Sequence, residues 1–140
     1  MSKVAIVFWS ATGNTETMAN CIAEGAGANG TLVPCGEMTP AKLAEFDVVA
    51  FGCPAMGAEQ LEESEFEPMF AALEGSLNGK KIALFGSYGW GDGQWMRDWA
   101  QRAQDDGAQL FSEEGLICNE TPDDDVQDAC RKLGADLAAW

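Results

Sequence analysis

Apolar and polar positions follow one another along the chain in short blocks, and the period of each block identifies its element. Val4 to Trp9 is an unbroken apolar run. A strand covered on one face alternates, so an unbroken run predicts a strand buried on both faces. Thr15, Met18, Ala19, Ile22 and Ala26 then recur at helical spacing, until Gly25, Gly27 and Gly30 break the pattern. Thr31 to Cys35 is a second short strand. Thr39-Pro40 reads as an N-cap with proline at the first helical position, opening a brief helix through Leu43. Asp47 to Gly52 predicts a third strand. Ser64 then caps a helix with Phe66, Phe70 and Leu73 on one face and Gly75 at its end. Lys80 to Phe85 is the fourth strand, followed by a helix striped by Trp95, Trp99 and Ala103. Leu110 to Cys118 is the fifth, weakened midway by Glu113, Glu114 and Gly115. Thr121-Pro122-Asp123-Asp124 caps a last helix whose buried stripe is Val126, Cys130, Leu133 and Leu137.

Strands alternating with helices imply right-handed crossovers and a parallel sheet covered on both faces, an α/β architecture. No repeat, linker or low-complexity segment interrupts it, so residues 1–140 read as one domain. Such sheets bind ligands beyond the carboxyl ends of their strands, where the winding reverses. The loops after strands one, three and four are therefore the candidate site.

Composition narrows the chemistry. An apolar share of 46% with five prolines indicates a folded chain rather than a disordered one. The apolar N-terminus has no small-residue cleavage pattern behind it, and no apolar run reaches membrane-spanning length, so a cytoplasmic protein with no membrane partner is expected. Five scattered cysteines without a C-x-x-C fit reduced, buried thiols rather than a disulfide framework or a zinc site. The absence of histidine removes histidine triads, shuttles and metal ligands. A net charge of −15 repels nucleic acid and anionic membranes and favours partners with basic patches.

The first loop, Ser10-Ala11-Thr12-Gly13-Asn14-Thr15, gathers three hydroxyls, a carboxamide and a glycine where a helix begins. Unpaired amides and the helix dipole make that position receptive to an anion, here without any lysine or arginine. Rival phosphate motifs are missing: there is no G-x-x-x-x-G-K-[ST] and no cysteine followed five residues later by arginine. Gly25-Ala26-Gly27-Ala28-Asn29-Gly30 matches G-x-G-x-x-G as text but ends a helix, the reverse of the dinucleotide context. The loop after strand three, Gly52-Cys53-Pro54-Ala55-Met56-Gly57-Ala58-Glu59, and the loop after strand four, Gly86-Ser87-Tyr88-Gly89-Trp90-Gly91-Asp92-Gly93, each offer one large polarizable side chain. Met56 and Trp90 suit the two faces of a flat ring.

These three loops, in this order and spacing over essentially the whole chain, resemble the short-chain bacterial flavodoxins. The resemblance implies a flavodoxin-like doubly wound three-layer sandwich with a five-stranded parallel sheet of order 2-1-3-4-5. It implies non-covalent FMN, with Ser10, Ala11, Thr12, Gly13, Asn14 and Thr15 around the phosphate, and Pro54 standing where some relatives place a serine. Ala55, Met56 and Gly57 would follow the ring, Met56 and Trp90 would enclose it, and Glu59 would accept from its N3–H. Ser87, Tyr88, Gly89 and Gly91 would complete the second rim. In the family the Gly57 carbonyl turns toward flavin N5, favouring a one-electron cycle mainly between semiquinone and hydroquinone. The expected protein is thus a monomeric low-potential electron carrier, not an enzyme, serving redox-partner proteins. Two alternatives stay open on sequence alone: an FMN-dependent quinone or azo reductase of the same fold, and a non-redox adaptor using its acidic surface.

Overall fold

The unbroken apolar run at the N-terminus becomes β1 (Val4–Phe8), which in the computed structural model of Met1–Trp140 pairs on both edges. Its neighbours are β2 (Gly30–Pro34) and β3 (Val48–Gly52), and β4 (Lys81–Tyr88) follows β3, all of them parallel. Between them lie α1 (Asn14–Ala26), α2 (Pro40–Leu43), α3 (Phe66–Leu73) and α4 (Gln94–Asp105). The fifth strand arrives in two pieces, β5 (Gln109–Leu110) and β6 (Leu116–Asn119), before α5 (Asp124–Ala139). The sheet order is β2-β1-β3-β4-β5, with β6 also on the outer edge of β4.

That split corrects the single strand read over Leu110–Cys118. Leu110 pairs with Ile82 and Leu116 with Phe85. Between them Ser112, Glu113 and Glu114 turn out to solvent, because an edge strand has no apolar partner to offset burying their polar groups.

Alternation along each strand builds the three layers. Val4, Ile6, Val48 and Ala50 face Met18, Ile22, Cys130 and Leu137 of α1 and α5. Ala5, Val7, Val49 and Phe51 face Phe66, Phe70, Trp95 and Trp99 of α3 and α4. Trp99 meets Phe66 and Phe70 edge-on at 5.4 and 5.7 Å between ring centroids, locking α4 onto α3. Each such pair adds about 1 kcal/mol beyond its buried area.

Three local readings change. Gly25 does not end α1, which runs to Ala26; its missing side chain instead admits α5, since a Cβ there would overlap the Arg131 carbonyl. Gly134 meets the Ile22 carbonyl in the same way, so the two glycines set the close α1–α5 approach. Ser64 does not cap α3: the buried Glu62 carboxylate takes the amides of Ser64, Glu65 and Phe66 at 2.8, 2.7 and 2.9 Å. A carboxylate accepts several amides at once and complements the helix dipole, which a serine hydroxyl cannot match. Finally, β4 extends past Phe85 through Tyr88, so Ser87 and Tyr88 sit on the strand and the loop begins at Gly89. The cap read over Thr121–Asp124 resolves to Asp123, which accepts from the Val126 amide at 2.9 Å. No helix is long and apolar enough to cross a membrane.

Candidate functional site: a crevice at the carboxyl edge of the sheet

Because β1, β3 and β4 run parallel, their carboxyl ends deliver all three candidate loops to one edge. There they enclose a crevice of about 300 Å³ lined by Ser10, Ala11, Thr12, Asn14, Thr15, Pro54, Ala55, Met56, Ser87, Tyr88, Gly89, Trp90 and Glu120. Twelve of the sequence-predicted site residues are in that lining. Gly13, Gly57, Glu59 and Gly91 are not; they lie in the turns that carry it.

One wall is the start of α1. Gly13 is its N-cap at φ 98°, and the Gly13 amide donates to Ser10 Oγ at 3.2 Å. No acceptor meets the amides of Ala11, Thr12, Asn14, Thr15 or Glu16. A helix N-terminus carries about half a unit of positive charge on such amides. This wall is therefore an anion site built from dipoles, with no lysine or arginine in the lining. The three hydroxyls divide their work. Thr15 is 1% exposed; its Oγ1 lies 3.2 Å from Ser87 Oγ and accepts from the Ser87 amide at 3.3 Å, tying α1 to β4. Ser10 and Thr12 keep hydroxyl protons to donate.

The opposite rims are flat and apolar. Met56 is half-buried, held where the Met56 and Gln60 backbones exchange hydrogen bonds of 2.8 and 2.9 Å around a short turn. Trp90 stands on the other rim 58% exposed, one of few large apolar side chains left in water. An exposed indole beside a crevice is a stacking surface. The rims are stitched together: Trp90 Nε1 donates to the Gly57 carbonyl at 3.2 Å, and the Asp92 amide donates to Glu59 Oε1 at 3.2 Å. Glu59, at φ 55°, thus turns its carboxylate toward the 91–92 turn.

Glu120 is the lining residue that the sequence reading missed. It follows β6 at φ 59°, and its amide donates to the Tyr88 carbonyl at 2.7 Å. The rule that ligands gather at strand carboxyl ends extends to this fifth loop and would have found it. Behind the crevice, burial pushes the Cys53 thiol up to about 12 against the hydrogen bond from the Glu62 amide. It remains a packing residue without thiolate reactivity.

A doubly wound parallel sheet with an anion-receptive helix start and two flat rims at its switch point defines a nucleotide-binding α/β protein. Known proteins make the class specific. The family model described as Flavodoxin matches residues 6–133. The chain is 48% identical to a flavodoxin of Megasphaera elsdenii over 134 residues, covering 94% of this chain and 95% of that one. It is 45% identical to a flavodoxin of Clostridium beijerinckii over 136 residues, with 95% and 97% covered. The solution structure of two-electron reduced Megasphaera elsdenii flavodoxin superposes with a TM-score of 0.84 at 44% identity, over 98% of this chain and 99% of that one. An oxidised flavodoxin 1 of Bacillus cereus gives 0.84 at 26% identity, over 99% and 98%. The chain belongs to the flavodoxin family. Flavodoxins are FMN-binding electron carriers, themselves not enzymes, that pass electrons to redox-partner proteins, and FMN is the cofactor here.

Proposed function

We propose that this flavodoxin is a low-potential carrier that cycles one electron at a time, mainly between the half-reduced and fully reduced forms of a single FMN. The observation that carries the site assignment is the wall of unpartnered amides at the start of α1, facing Met56 and Trp90 across one crevice. FMN supplies the ring that accepts and releases single electrons, and the protein's residues set where it lies and how strongly each charge state is held. The free amides of Ala11, Thr12, Asn14, Thr15 and Glu16, with the Ser10 and Thr12 hydroxyls, would hold the phosphate. Ala55, Pro54, Ser87 and Tyr88 line the sugar-chain side, while Met56 and Trp90 exclude water from the ring faces. Gly57 would offer its carbonyl, Glu59 its carboxylate and the Gly89–Gly91 turn its amides to the polar edge of the ring. With no cationic side chain in the lining, no nearby positive charge would offset a negative charge on the fully reduced ring, so a low potential for the second electron is expected.

The molecule acts as a monomeric single domain and docks through its acidic face onto basic patches of redox partners. Five cysteines, all free and buried, suit the reducing cytoplasm. The deciding experiment is reconstitution with FMN followed by stepwise reduction under absorbance. A yellow one-to-one complex that turns blue midway supports the reading. A colourless protein, or steady NAD(P)H oxidation by the purified protein alone, overturns it.

A further inference from the structure

The charged groups of the four segments that build the crevice carry one sign, with a single exception. From the carboxyl ends of β1, β3, β4 and β6 through the first turn of the next helix (residues 8–17, 52–69, 88–97 and 119–127), every charged side chain but Arg97 is a carboxylate. Arg97 is also placed against the local physics. It lies in the first turn of α4, where the helix dipole disfavours a cation, and that helix has no acidic residue in its first turn to compensate. A residue that breaks a local rule calls for a specific reason.

The reason is on the page. Arg97 Nη1 donates to the Asp92 carbonyl at 3.1 Å, and Nη2 to Asp92 Oδ1 and Gln94 Oε1, both at 2.9 Å. The guanidinium therefore grips the 91–93 turn by backbone and side chain together. That turn contains two glycines at positive φ, Gly91 at 82° and Gly93 at 93°, and has little stiffness of its own. From the gripped Asp92 the connection continues outward. Its amide reaches Glu59 on the opposite rim, and two residues back the Trp90 indole holds the Gly57 carbonyl.

We propose that Arg97 is a positioning residue for the aromatic rim: its fork immobilises the Asp92 turn and so keeps Trp90 and the Gly57 loop joined over the FMN crevice. Arg97 does not line the crevice, so it acts through Asp92. The proposal rests on the crevice being the FMN site. An ammonium keeps the charge but not the planar fork, so Arg97→Lys separates geometry from electrostatics.

The test measures FMN release on dilution, by recovery of flavin fluorescence, together with amide hydrogen exchange of residues 90–93 in the full chain. Arg97→Gln and Arg97→Lys are both expected to release FMN about three- to ten-fold faster, the range for losing hydrogen bonds of this partly exposed kind. Exchange at residues 90–93 is expected to accelerate with them. Release at the unaltered rate in both variants overturns the proposal. So does unaltered release in Arg97→Lys with fast release in Arg97→Gln, which assigns the effect to charge. Failure of the unaltered chain to hold FMN instead sinks the functional reading, while the exchange measurement still decides whether Arg97 fixes the turn.

Discussion

Gly57 sits at φ 52° with Gln60 Nε2 3.5 Å from where a Cβ would stand, and its carbonyl already accepts from Trp90. A β-branched residue at that φ is strained by about 1–2 kcal/mol, and it cannot exchange between the two peptide orientations that glycine reaches at little cost. Gly57→Val is expected to lower the maximum fraction of half-reduced flavin in a reductive titration several-fold, with the chain still folded. An unchanged fraction would remove the peptide rotation from the mechanism. At this scale the sequence was legible where chemistry is carried by residue type. It was silent on links between distant side chains: Thr15, in the crevice lining, also has its Oγ1 3.2 Å from Ser87 Oγ, 72 positions away.

Among the elements, α3 shows how a local signal can mislead. Ser64 has the right type and place for an N-cap, but Glu62 wins because one buried carboxylate satisfies three amides. Burial raises the Glu62 pKa, and the hydrogen bonds from Phe66, Glu65 and Ser64 more than reverse this, leaving it below the usual carboxylate value. A lowered folded pKa means that the cap's contribution is complete above the unfolded value, about pH 4.3, and is lost as pH falls through the folded value. Glu62→Ala is expected to cost about 2 kcal/mol at pH 7 in urea unfolding, and the difference from the unaltered protein should shrink in acid. A difference that stays constant down to pH 3 would show that the carboxylate's charge is not what caps the helix. Neutralising Glu62 would therefore confound an electrostatic test of the flavin with a folding defect, whereas Glu63 and Glu65 are exposed and free of that burden.

For the whole molecule, the charge of −15 is spread so that the loops around the crevice are almost without cations. At an effective dielectric near 20, a carboxylate ~15 Å from a new negative charge opposes it by about 1 kcal/mol before screening, and by a fraction of that in salt. Replacing Glu63 and Glu65 together by glutamine should raise the potential of the second electron by about 20 mV, more at low ionic strength. A potential that does not move at either ionic strength would mean that desolvation at the ring, not the acidic surface, sets it. Glutamine at position 65 keeps an acceptor for Trp9 Nε1, which donates to Glu65 at 2.7 Å, so the substitution changes charge with little change in packing.

Periodicity, glycine placement and the types of residue in three loops determined the α/β alternation, the layers and twelve of the crevice residues, because each depends on neighbours within a few positions along the chain. The division of the fifth strand, the Glu62 cap, the Gly25–Gly134 approach and the Arg97 grip on the aromatic rim were decided by the tertiary structure. Each depends on which distant group comes within contact distance, and only the completed packing specifies that.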